Sequence, residues 1–534
     1  MVPRRRRPGA AGRAPGEDRR GAHHRVVGPT EARRLGRPEN RGMTTTILRG
    51  GRVIDPEAGT ESVADVVVRD GRVAEISTTP VLDADATVVD VSGLVVGPGF
   101  VDLHSHVHSI AGQRLQAFDG VTTNLDLEAG LMPIERAYAE AAAAGRVLNY
   151  GFSASWSDAR GQVLAGVVPN ARFDSSTDLL GNLDWQRTSS PAELAAWLEL
   201  LEGELAAGAL GIGVLMGYAP RSDPAEYLAV ARLAAAAGAP TFTHVRELVE
   251  ADPTTPIDGS REVAIAAAET GAAMHHCHVN STSRRHVDRV LGTLEDARAA
   301  GSRVTVEAYP YGMGSTSVGA FFLAPDRLPA WGLVPSSIVL VGTGERIADV
   351  RRLEEVRTLD PGATCIVEFF DERDERDREL LRRALAFPDA IVASDAMPLE
   401  WPDHRADTRE WPLPPGASTH PRTAGTFARS LRLMVLEHEL WSWPEAFRRC
   451  SYLPARVLDQ VAPAMRTKGR LAAGTDADLV VLDPAAVTDH ATVADPVRPS
   501  AGVRHLLVGG SFVIRDGELD PDAYPGRAVR GEMR

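Results

Sequence analysis

The sequence predicts a (β/α)8 TIM barrel carrying a small β-sandwich domain formed by both termini. Three observations lead there. The middle of the chain alternates short apolar runs with Ala-rich helical stretches, the pattern of βα units. The apolar runs number eight, as a closed barrel needs. The two ends of the chain have a different texture, with alternating strands turned at Gly as in β-hairpins.

Residues 1–42, rich in Arg, Gly and Pro, lack apolar periodicity and read as a disordered tail, with translation expected to start at Met43. Residues 43–95 and 466–524 together form the expected β-domain, on the runs 47–55, 64–73, 478–483 and 506–514. Residues 96–465 form the expected barrel. Its strands are placed at 100–103, 121–127, 150–153, 210–215, 241–243, 273–277, 304–308 and 390–393. Helices are expected at 134–144, 191–207, 224–237 and 261–269. The stretch of about 313–388 is too long for one connection and is expected to lie over the barrel mouth as an insertion.

Composition narrows the function classes. Net charge is −14, yet residues 1–42 hold twelve Arg against four acids, so the remainder stands at −22. That sign disfavours a nucleic-acid partner, whose phosphates need a basic face. No run approaches the ~20 apolar residues of a membrane span, and no apolar segment follows the basic start, so no secretory signal is read. Cys277, Cys365 and Cys450 are too few and scattered for a disulfide framework or a Cys-based zinc site. A cytoplasmic protein acting on a small molecule is expected, with homo-oligomerisation left open. Lys468 is the only lysine; the other 57 basic residues are Arg.

The chemistry sits at the strand ends, where barrels place it. Strand one runs into His104-Ser105-His106, whose two imidazoles share a face because side chains alternate. Strand two ends at Glu128, strand five at His244, strand six at His278 and strand eight at Asp395. Neutral imidazole suits zinc and similar ions. Such an ion lowers the pKa of water to roughly 7, and a nearby Asp can take the proton. His104, His106, Glu128, His244, His278 and Asp395 are the expected ligands of one or two Zn2+ or other divalent ions, with Asp395 also the catalytic base. A lone buried His is more often structural; four in this order with an Asp are not.

Pro98-Gly99-Phe100-Val101-Asp102-Leu103-His104-Ser105-His106 resembles the strand-one signature of the amidohydrolase superfamily. The segment from Lys468-Gly469-Arg470 to Val480-Val481-Leu482 resembles its return into the terminal β-domain. Many members bridge two metals with a carboxylated strand-four lysine. Lys468 lies far from that strand, so one metal or another bridge is implied, with Glu128 the best placed. Further segments resemble the N-acyl-D-amino-acid deacylases (D-aminoacylases). They are Gly120-Val121-Thr122-Thr123, Thr243-His244-Val245-Arg246-Glu247, Cys277-His278-Val279-Asn280, Tyr309-Pro310-Tyr311 and Thr419-His420-Pro421-Arg422.

The resemblance implies metal-dependent hydrolysis of a linear amide. An N-acyl-D-amino acid, with N-acyl-D-glutamate the first choice, would give a carboxylic acid and a free D-amino acid. It assigns Tyr309 to the substrate carboxylate or the acyl carbonyl and Arg422 to the α-carboxylate. Asn280 departs from the family, which commonly has Lys there, as does Ala396 where the family usually has Gly after Ser-Asp. The alternatives are an aminohydrolase (deaminase), with Glu247 as proton shuttle, and a cyclic-amide hydrolase such as a dihydroorotase or hydantoinase.

Overall fold

Apolar runs flanked by Gly and by capped helices assemble into parallel strands in the computed structural model, which describes residues 45–532 except 178, 181 and 406. The predicted tail at 1–42 lies outside the described residues. The barrel strands are β1 (Phe100–Asp102), β2 (Val121–Leu131), β3 (Asn149–Ser155), β4 (Ile212–Leu215), β5 (Thr241–His244), β6 (Met274–His276), β7 (Val304–Ala308) and β8 (Ile391–Val392). Each pairs in parallel with the next. β8 returns towards β1 through a bridge between Ser105 and Ala396 and a bond from His106 N to Ala396 O of 2.8 Å. The fold is therefore the expected TIM barrel with an added β-domain.

Local sequence explains the outer helices. Helix Pro191–Ala206 starts on a capping box in which Ser190 and Glu193 satisfy each other's backbone N–H, with Pro191 in the first turn where its missing N–H costs nothing. Trp197, Leu201 and Leu205 then face the barrel at helical spacing. Helices Pro224–Ala237, Gly259–Thr270 and Val287–Ala299 follow β4, β5 and β6 in the same way.

The terminal β-domain is one mixed sheet of nine strands. Its seam is Val95–Pro98, parallel to Thr46–Asp55 on one side and antiparallel to Leu479–Leu482 on the other. Leu48, Val66, Val96, Leu479, Val481 and Leu507 form its own apolar core. Between β7 and β8 the chain builds an antiparallel sheet from Met313–Ser317, Ile338–Leu340 and Thr364–Glu368, together with helix Val350–Leu359. Among the described residues, no helix is long and apolar enough to cross a membrane.

Candidate metal centre

The floor of the site begins one turn below the candidate ligands, where Asp102 ties β1 to β8. Its carboxylate accepts from Ser394 N at 3.0 Å, from Ser394 Oγ and from Gln116 Nε2 at 3.1 Å. Burial pushes its pKa up to about 7, against the pull of the Ser394 hydrogen bonds. Immediately above, the alternation that puts Asp102, His104 and His106 on one face directs both imidazoles inwards.

Each imidazole is anchored from behind. His104 Nδ1 lies 2.5 Å from Glu307 Oε1, and His106 Nδ1 lies 3.2 Å from Asp126 Oδ1. A carboxylate in contact with Nδ1 fixes the proton there and leaves the Nε2 lone pair facing forward. The two Nε2 atoms then meet at 3.3 Å. Two lone pairs turned on one point call for a cation between them.

Glu128 shares the inward face of β2 with Asp126. One oxygen, Oε2, is 3.1 Å from His104 Nε2 and 3.9 Å from His106 Nε2. The other, Oε1, is 2.7 Å from His278 Nε2 and 3.2 Å from His244 Nδ1. The carboxylate therefore spans two histidine pairs. β4 supplies no ligand; it has Gly213 instead, and a Cβ there would stand 2.3 Å from Glu128 O. Absence of that side chain lets β2 press into the space. Asp395 completes the ring, its Oδ1 3.3 Å from His104 Nε2 and 3.6 Å from His106 Nε2. All six expected ligands thus converge, and His104–His106–Glu128, Glu128–His244–His278 and His104–His278–Asp395 are each close enough to share an ion.

Strain and charge mark the same place. His278 and Asp395 have φ of +29° and +49°, values that non-glycine residues adopt only under constraint from their surroundings. Burial opposes charge throughout, yet Glu128, Asp395 and Glu307 raise the His104 pKa well above its usual value. Burial likewise disfavours charge on Glu128, but His104 and His278 hold its carboxyl well below the usual range. His106, despite burial, is lifted by Asp126 to about 9. Four carboxylates crowd these imidazoles, so the pocket stabilises positive charge. A divalent ion fits that donor set and would replace protons on the histidines.

Above the floor lies a cavity of about 470 Å³ lined by Phe173, Leu180, Tyr218, Phe322 and other residues of the barrel loops and the insertion. Among the described residues, Tyr309 Oη and Arg422 Nη1 have no hydrogen-bond partner, while Arg422 Nη2 is 2.9 Å from Asp395 Oδ1. Asn280 turns away to take the N–H of Tyr309 at 3.3 Å. Glu247 is engaged by Arg327 at 2.9 Å and Trp331 Nε1 at 3.1 Å. Lys468 is bound to Asp476 and Asp478 of the terminal domain.

Sequence reasoning missed Asp126, Glu307 and Arg284. The first two were visible as acids inside apolar strands, in Leu125-Asp126-Leu127 and Val304-Thr305-Val306-Glu307-Ala308. Arg284 gave no local signal.

The amidohydrolase family profile matches residues 87–514. The chain belongs to the amidohydrolase family. Among amidohydrolase relatives, it is 30% identical over 494 residues to a D-aminoacylase of Alcaligenes xylosoxydans xylosoxydans, covering 88% of this chain and 94% of that one. It is 29% identical over 516 residues to an N-acyl-D-glutamate deacylase of the same organism, covering 91% and 96%. Its fold superposes with a TM-score of 0.71 on the N-acyl-D-glutamate deacylase from Bordetella bronchiseptica, solved with zinc and a phosphonate mimic of the tetrahedral intermediate. That pair shares 25% identity over 91% of this chain and 99% of the other.

Proposed function

We propose that this amidohydrolase is a zinc-dependent deacylase of N-acyl-D-amino acids, releasing a carboxylic acid and a free D-amino acid. The observation that carries the reading is the division of Glu128 between the His104/His106 and His244/His278 pairs. From β2, Glu128 would hold zinc in the role that other members of the superfamily give to a strand-four lysine. Bound there, one or two zinc ions supply Lewis-acid charge that acidifies water and polarises the scissile carbonyl.

The chain's own residues do the rest. Asp395 accepts the proton of the attacking water and returns it to the leaving nitrogen, a base turned acid. Burial works against its ionised form, but Arg422 and His104 hold its pKa below the usual value, so the carboxylate is ready to accept. Gly314 leaves a gap beside the substrate cavity: a Cβ on it would sit 3.2 Å from Tyr309 Oη and 3.7 Å from Arg422 Nη1. Those two donors would seat the α-carboxylate, a charge-assisted contact.

Glu247, the residue a deaminase would use as its shuttle, is already spent on Arg327 and Trp331. The test is a panel of N-acetyl-D- and N-acetyl-L-amino acids with a primary-amine readout. D-selective amine release that EDTA abolishes and zinc restores is expected. Ammonia release, or turnover indifferent to EDTA, would overturn the reading.

A further inference from the structure

Among the described residues, the cavity is lined by a cation, Arg284, that has no direct ion pair. Arg284 is 8% exposed. Its Nε donates to Ser281 O at 3.1 Å, which aims the guanidinium, and its Nη1 has no acceptor. The group lies among aromatics, its Cζ 4.1 Å from the Trp331 ring centre and 5.9 Å from that of Phe369. Glu247 offsets part of the Arg284 charge through space, but both Glu247 oxygens accept their hydrogen bonds from Arg327 and Trp331. The other arginine lining the cavity, Arg246, is saturated by Glu262 and Pro220 O. Burial pushes Arg284 down only to about 10, so it stays charged near neutrality.

A buried unpaired charge is costly, and protein interiors seldom keep one without use. Arg284 also sits at φ +47°, a conformation its surroundings must impose. Phe369 gives its position relative to the first carboxylate seat. That ring borders the Gly314 gap, where a Cβ would be 3.7 Å from its Cε1, and it also flanks Arg284. Phe369 therefore borders both anion-seeking places, and Tyr309, Gly314 and Arg284 line the same cavity.

We propose that Arg284 binds a second carboxylate of the substrate, so that the enzyme prefers N-acyl derivatives of acidic amino acids. This rests on the deacylase reading for its chemistry and on the cavity alone for its charge. Arg284 supplies the cation that position 280 lacks, from four residues further along the chain.

The experiment compares wild type with Arg284→Gln and Arg284→Lys on N-acetyl-D-glutamate and N-acetyl-D-methionine. Binding of glutarate and of butyrate is followed in parallel by calorimetry. In Arg284→Gln, kcat/KM for the glutamate derivative should fall about 10- to 100-fold through KM, the loss of a charged hydrogen bond. The methionine derivative should change by less than about threefold, and Arg284→Lys should recover part of the difference. Equal loss on both substrates, or no loss on either, overturns the proposal. If wild type hydrolyses neither substrate, the deacylase reading fails and binding decides: tighter glutarate than butyrate, with the gap closed in Arg284→Gln, upholds the anion site. Should Arg284→Gln not fold, the wild-type preference decides, and its absence overturns the site.

Discussion

The metal floor and the cavity wall above it are built on opposite principles. On the floor three of the four imidazoles that face the ion position are held from behind: His104 by Glu307, His106 by Asp126, and His278 by Ser281 Oγ at 3.1 Å. On the wall, Tyr309 Oη, Arg422 Nη1 and Arg284 Nη1 have none. Groups that must hold one geometry through every turnover are saturated by the protein. Groups that must meet a passing ligand are left open, and the fold absorbs their cost.

Three substitutions probe that contrast, in descending effect. Asp395→Asn removes the proton acceptor where floor meets wall and should lower kcat at least about a hundredfold on zinc-saturated protein. Initial rates check it, and turnover near wild type would remove Asp395 from the mechanism. Glu307→Gln acts one shell behind the ions. It should weaken zinc affinity about 10- to 100-fold, read by competition with a chelating dye. An unchanged affinity would mean that the floor does not depend on its backing carboxylates. Glu247→Gln loosens the wall by weakening its hold on Arg327 and Trp331. It should raise KM about two- to fivefold with kcat intact, and a matching fall in kcat would show that the two regions are mechanically one.

The same division governs what could be read from the sequence. The ligand positions of the floor were legible because they lie where strands end, and strand ends are announced by apolar runs such as Phe100-Val101-Asp102-Leu103; the backing acids Asp126 and Glu307, inside their strands, were not read. His104, His106, Glu128, His244, His278 and Asp395 each follow such a run or lie within it. The wall was not legible. Arg284 ends a five-residue helix, and its neighbours Trp331 and Phe369 arrive from the insertion, 47 and 85 residues later. Their meeting depends on how the sheet Met313–Ser317, Ile338–Leu340 and Thr364–Glu368 sits on the barrel, which no local pattern encodes. Asn280 shows the hazard of position alone, since its side chain serves the Tyr309 backbone and not the cavity.

Lys468 has a practical consequence of its own. Its ammonium is shared by Asp476 and Asp478, and Asp478 in turn receives Asn149 of β3 at 3.0 Å. With no other ε-amine in 534 residues and this one 7% exposed, a succinimidyl dye should find only the α-amine of the folded chain. A second equivalent of label would then be a clock for the parting of the terminal sheet from the barrel.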